Sequence, residues 1–236
     1  MIREHFEFRE TIATILAGTP GEVAAAKSGM LAARKEVERQ IALDPYFSAT
    51  FEPYTPASSG RTVGRMARAA AGAGVGPMAA VAGAIAWAGV EAMVEAGVAF
   101  GLVDNGGDIA LVSDREVKIG VYAGASPLSG RIAFLLPPQS EILGICTSSA
   151  TVGPSISLGI ADAVTVFSSD VAVADAWATA ICNRIRPDDT SILDTLPGTG
   201  VTGVLVIIGD AVIRWGDLPP VVRAKVDERL ITAGLK

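Results

Sequence analysis

At 236 residues, half of them apolar, the chain has enough hydrophobic material for one large domain or two small ones, which excludes a disordered tail. Its formal charge of −6, with no cluster of Lys and Arg, excludes a general polyanion binder and with it a nucleic-acid partner. Two distant cysteines, Cys146 and Cys182, and an opening segment charged by Glu4, Glu7, Arg9 and Glu10 leave no disulfide scaffold or secretory signal, and the expected location is cytoplasmic.

His5 to Leu16, with Phe6 and Phe8 alternating with charges before a β-branched run, reads as strand or hairpin. Thr19, Pro20 and Gly21 break it, and Glu22 to Leu43 reads as an amphipathic surface helix stopped by Asp44-Pro45. Pro53 to Gly60 is loop material, and Val63 to Ala73 a short helix. The glycines at 72, 74 and 76 and Pro77 then open a long Ala-rich helix ending near Gly97. The uncharged stretch Ala69 to Val90 is long enough for a bilayer, but Ala, Gly and an internal proline supply little transfer energy, so a close-packed buried helix is expected and no membrane partner.

Strand signals follow at Val98 to Val103, Ile109 to Val112 and Val117 to Tyr122, an antiparallel meander with turns at Asp104-Asn105-Gly106-Gly107 and Asp114-Arg115. Further strands are expected at Ile132 to Leu136, Ile142 to Cys146 and Ala163 to Phe167. Ser168, Ser169 and Asp170 supply N-cap chemistry for a helix to about Ile185. Val204 to Ile208 and Ala211 to Trp215 form a closing hairpin, and Pro219-Pro220 starts a last short amphipathic helix. Strands that neighbour one another without intervening helices indicate an α+β fold of antiparallel sheets with packed helices. The chain is expected to be one unit over residues 1–236, with an N-terminal strand and helix region at 1–60 and the motif-bearing core at 61–236.

Four segments could carry chemistry. The glycine run before Pro77 lacks the spacing, the preceding strand and the lysine of a dinucleotide or phosphate loop, so its glycines read first as conformational and second as an anion site. Asn105, Gly106, Gly107 and Asp108 form a hairpin turn. Thr147, Ser148 and Ser149 end a strand in small hydroxyl residues able to hydrogen-bond a ligand. Cys146 is a candidate nucleophile, but the sole histidine, His5, lies far away in sequence, and a buried core cysteine is the plainer reading. In the helix after Ser168, Asp175 and Thr179 are four residues apart and share a face, offering the hard oxygens that magnesium takes.

Taken in order, Val103 to Ile109, Cys146 to Ser149, Ala161 to Val166 and Ala174 to Ala180 resemble the ApbE-like superfamily, whose best-known members transfer FMN from FAD to a protein threonine using magnesium. The resemblance implies the ApbE-like fold and places metal ligands at Asp175, Thr179 and the carbonyl near Ala82. It implies FAD or FMN at Asn105, Gly106, Gly107, Asp108, Thr147, Ser148 and Ser149. Two departures are evident: no histidine-containing segment follows Ser149, and Gly83 stands where the transferases carry a lysine. Pro77 to Ala86 and Gly130-Arg131 are similar to a shorter ApbE-like family of archaea and bacteria, part of which is associated with sulfide assimilation.

Three functions follow as expectations. The first is a flavin- and Mg2+-binding enzyme of phosphoryl (FMN) transfer, acting on a nucleotide or protein substrate in a cleft between the strand loops and the Asp175 helix. The second is a sulfur-handling protein using Cys146 or Cys182, and the third a non-catalytic flavin- or metal-binding protein. Homo-oligomer formation is an open expectation for each.

Overall fold

A computed structural model describes residues 1–57, 60–152, 158–227 and 231–232. The chain opens with a hairpin of β1 (Ile2–Phe8) and β2 (Thr11–Ala17), whose turn places Arg9 at a left-handed φ of 54°. Helix α1 (Pro20–Leu43) begins two residues before the expected start. The cause is a capping box: Thr19 Oγ1 accepts from Glu22 N at 3.3 Å, and Glu22 Oε2 accepts from Thr19 N at 3.1 Å. A single turn, α2 (Tyr46–Ala49), follows the Asp44-Pro45 stop and buries Phe47. Loop residues 58 and 59, within the expected Pro53 to Gly60 loop, lie outside the described residues.

The uncharged stretch is not one helix. Helix α3 (Arg61–Ala73) ends at Gly74, in the left-handed region at φ 71°, and a 3-10 turn over Pro77–Ala80 precedes α4 (Val81–Glu95). Pro77–Glu95 is long and apolar enough to cross a membrane, with a mean hydropathy of 1.5 over its most apolar window, and half of that window is buried inside the protein. Its glycine entry serves packing, since a Cβ on Gly76 would lie 2.0 Å from the Thr50 carbonyl oxygen.

The remaining elements are β3 (Phe100–Asn105), β4 (Asp108–Ser113), β5 (Val117–Gly120), β6 (Ile132–Leu136), β7 (Gln139–Ser148), β8 (Ala163–Ser168), α5 (Val171–Arg184), β9 (Val201–Ile208), β10 (Ala211–Gly216) and β11 (Val221–Arg223). One antiparallel sheet of eight strands runs in the order β1-β2-β3-β4-β7-β8-β9-β10, and a smaller one runs β11-β6-β5. Two expectations are corrected here. The meander stops at β4, because β5 leaves the large sheet to pair with β6. The segment after Pro219-Pro220 is strand rather than helix: Val221 to Arg223 pair with Phe134 to Ile132, and Leu135 N donates to Pro220 O at 2.8 Å. Proline disfavours helix at the residue before it, and the β-branched pair Val221-Val222 suits a pleated edge.

Helices α4 and α5 pack on one face of the large sheet, with α1 against α4 and α3 against α5. The other face meets the small sheet. The core is accordingly double: Val103, Ala110, Cys146, Val164 and Val166 point to the helices, while Leu102, Ile109, Ile145, Phe167 and Leu205 point to the small sheet. This is the two-sided burial that period-2 alternation along a strand dictates. The result is a single compact domain of helices and antiparallel sheet.

Candidate functional site

The strand order brings the hairpin turn and the hydroxyl-rich strand end to one end of the large sheet. Gly106 and Gly107 join β3 to β4 at φ 71° and 105°, a region that residues with a Cβ rarely enter. Asp104 braces the turn, its Oδ1 accepting from Gly107 N at 2.8 Å. Strand β7 arrives alongside: Thr147 N donates to Gly107 O at 3.1 Å, and Cys146 stands opposite Asp108. Alternation then divides the residues. Asn105, Asp108, Cys146 and Ser148 fall on the helix face; Asp104 and Thr147 fall on the face toward the small sheet.

On the helix face, Asp175 reaches from α5 into the start of α4, where its Oδ2 accepts from Gly83 N at 2.8 Å. Asn105 Nδ2 donates to the Ala82 carbonyl at 3.0 Å. The peptide unit between Ala82 and Gly83 is thus gripped from two sides, by α5 and by β3. No side chain fits at position 83: a Cβ there would lie 2.8 Å from the Asp175 Cβ and 2.9 Å from the Val171 carbonyl oxygen. Thr179, one turn further along α5, is half-buried on the same helical face.

Charge is crowded on this face. Burial pushes the Asp175 carboxyl up to about 7, against the lowering effect of the Gly83 and Ala82 amides. Burial, then the charges of Asp175 and Asp104, hold Asp108 well above the usual carboxylate range. Cys146 is fully buried, 3.6 Å from the Val171 carbonyl oxygen, and burial followed by repulsion from Asp108 raises its thiol well above its ordinary value. A thiol kept protonated and out of solvent is a poor nucleophile, so the structure places Cys146 as the buried core cysteine of the plainer reading. Cys182 is likewise buried, and neither cysteine forms a disulfide. Asp175, Thr179 and the Ala82 carbonyl carry the oxygen type that Mg2+ takes, but the Asp175 carboxylate and the Ala82 carbonyl oxygen lie on opposite sides of the Ala82-Gly83 peptide unit, so only Asp175 and Thr179 share a face. Among the described residues no group of three or more His, Cys, Asp or Glu side chains forms a metal cage. A cation here would therefore depend on the Asp175 carboxylate, the Thr179 hydroxyl, water and ligand oxygens.

The opposite face holds a cavity of about 460 Å³ between the two sheets, in the size range of small-molecule sites. Its floor is apolar, from Leu16, Leu102, Ile109, Phe134 and Ile145. Gly106, Gly107, Thr147 and Ser149 line it, as do Thr14, Asp104 and Thr165, which the sequence reading did not single out as ligand-binding residues. Thr147 Oγ1 lies 2.9 Å from Thr165 Oγ1, whereas Ser149 Oγ is committed to its own loop, accepting from Thr151 N at 3.1 Å and Val152 N at 2.9 Å. Exposed Lys118 and Lys225 stand among the lining residues. Asp175, Thr179 and Ala82 do not line this cavity. The residues expected to share a single cleft between strand loops and the Asp175 helix are thus divided between the two faces at this end of the sheet. The signal for that division was present in the sequence, since Asp104 and Asn105 are adjacent in a strand and must point opposite ways.

The comparisons agree with this architecture. The family model described as AbpE bacteria matches residues 3–199. A UPF0280 protein from Methanoculleus marisnigri is 80% identical over 234 residues, covering 99% of this chain and 96% of that protein. Among solved structures, an ApbE protein from Thermotoga maritima aligns with a TM-score of 0.57 at 13% identity, over 90% of this chain and 97% of that one. The apo flavinyl transferase ApbE of Pseudomonas stutzeri aligns with a TM-score of 0.55 at 12% identity, over 99% of this chain and 98% of that one. At such identities the structural likeness establishes the fold.

Proposed function

Since this chain belongs to the AbpE bacteria family, we propose that it binds a flavin nucleotide at the Gly106-Gly107 end of the large sheet and acts in phosphoryl (FMN) transfer from FAD. The observation that carries this reading is the ligand-sized cavity with an apolar floor at the Gly106-Gly107 end of the large sheet, with Asp175 lying against the opposite face. The apolar floor suits a planar ring system, and Thr147 and Thr165 offer hydrogen bonds along one wall. The glycine turn presents no side chain, which lets the phosphates pass close to the backbone.

Phosphoryl transfer asks little covalent chemistry of a protein; it needs positioning and neutralisation of charge. Asp175 and Thr179, with water and ligand oxygens, would hold Mg2+, which would supply charge neutralisation at the pyrophosphate. Gly83 N holds the Asp175 carboxylate at the start of α4, and Asn105 holds the Ala82 carbonyl on the opposite side of the same peptide unit. Asp108 adds a second buried carboxyl beside them. The test is equilibrium titration with FAD and FMN, with and without Mg2+, followed by mass spectrometry of the products. The reading expects binding of both flavins and release of AMP from FAD; a protein that binds neither flavin contradicts it.

A further inference from the structure

Residues 224–227 and 231–232 line the cavity. Beyond β11, Ala224 N donates to Arg131 O at 2.9 Å and Val226 N to Gly130 O at 2.8 Å, which carries the backbone along the cavity wall. Ala224, Lys225, Val226, Asp227, Ile231 and Thr232 all line it. At the inner end Thr232 is buried, only 4% exposed, with its hydroxyl hydrogen-bonded to Asp104 Oδ2 and lying 3.0 Å from Thr14 Oγ1. Asp104 and Thr14 are cross-strand partners on β3 and β2, so the pair forms one rigid polar spot in an otherwise apolar floor.

That spot has a definite place. Asp104 stands two residues before Gly106, accepts from Gly107 N, and lines the cavity together with the apolar floor and the turn. A half-buried carboxylate accepts from an alcohol and the threonine hydroxyl beside it can donate to one, and an alcohol is what Thr232 places there. Isosteric loss of one partner would leave the other unsatisfied in a buried setting. Neither residue is needed by the Asp175 cluster on the other face of the sheet.

We infer that Asp104 and Thr14 form a subsite for the hydroxyl groups of a polyol, the ribityl chain of a flavin, and that Thr232 occupies this subsite until the ligand displaces it. The order floor, Asp104, glycine turn matches the order ring, polyol, phosphate along FMN. The inference rests on the flavin reading above and adds to it which atoms Asp104 recognises and what the C-terminal segment does. No bond is made or broken in this exchange; one alcohol replaces another.

The experiment is fluorescence titration of the full chain with FMN and with lumiflavin, which has the ring but no ribityl hydroxyls. Asp104→Asn is expected to raise the Kd for FMN about tenfold and to leave that for lumiflavin unchanged. Thr232→Ala is expected to lower the Kd for FMN by about threefold, because the resident competitor is gone. Circular dichroism of each variant controls for folding. Loss of FMN and lumiflavin affinity in equal measure in Asp104→Asn, or no gain in Thr232→Ala, overturns the subsite while the flavin reading stands. Failure of the unaltered protein to bind either flavin overturns both.

Discussion

The two faces of the large sheet at the Gly106-Gly107 end make opposite use of neighbouring residues. On the helix face, polar groups are spent on one another: Asn105 on the Ala82 carbonyl, Asp175 on Gly83 N, Cys146 against Asp108 and the Val171 carbonyl. On the cavity face, Thr147 and Thr165 pair with each other and line open space. The difference teaches that a single strand can carry a mutually satisfied polar cluster and a cavity-lining surface at once, because successive side chains never share an environment. Each prediction below strikes one face and asks whether the other responds.

The largest effect is expected from Gly83→Ala. Its Cβ would press on the Asp175 Cβ at 2.8 Å and on the Val171 carbonyl at 2.9 Å, both parts of α5. Overpacking of this kind costs about 1–3 kcal/mol, to be read as a lowered midpoint of urea unfolding. Unchanged stability would mean that α4 and α5 are not locked together as described.

Next comes the pH dependence of stability without a divalent cation. Burial holds the Asp175 carboxyl at about 7 in the folded chain against 3.8 for an unperturbed carboxyl, so between those values the folded state holds the extra proton. The stabilising contribution is fully present below the lower value and is lost as pH rises toward the upper one. Asp108, raised in the same direction, extends the decline. Urea midpoints measured across this range should fall with pH in the unaltered protein, fall less in Asp175→Asn, and recover on adding Mg2+. A midpoint rising through the same window contradicts the assignment.

How much of this was legible in the sequence depends on whether the deciding force was local. The Asp170 cap of α5 and the glycine turn were legible, because a side chain satisfying a nearby N–H and a left-handed turn are both written in adjacent residues. The departure of β5 from the large sheet was not, since its partner β6 is a dozen residues away and the alternative pairing is equally alternating in pattern. Pro219-Pro220 gave the same signal as a helix start, and only the free edge of β6 turns Val221 to Arg223 into strand. For the site, the turn and the hydroxyl-rich strand end do meet at one end of the sheet, but grouping them with the Asp175 helix as one cleft ignored alternation between Asp104 and Asn105. Asp104 itself was passed over as a ligand-binding residue because its partners Thr14 and Thr232 lie 90 and 128 positions away in the chain.

A smaller effect is expected at Cys146. Because its thiol is buried and raised, alkylation of the native protein at neutral pH should be slow, and Cys146→Ser should leave flavin binding unchanged. Rapid labelling of Cys146, found by peptide mapping, would reopen the sulfur chemistry that the structure disfavours. Smallest of all, Thr147→Val on the cavity face should weaken FMN about threefold with no change in the pH profile of stability, since it touches Thr165 and not the carboxylates. A shifted pH profile would show that the faces are coupled.

The central claim is that one nucleotide spans both faces, its ring in the inter-sheet cavity and its pyrophosphate near Asp175. The most direct measurement is the gain in FAD affinity on adding Mg2+, compared between the unaltered protein and Asp175→Asn. The account predicts a clear gain for the unaltered protein, none for Asp175→Asn, and the same cation-free FMN affinity in both. Equal gains in the two proteins would contradict it.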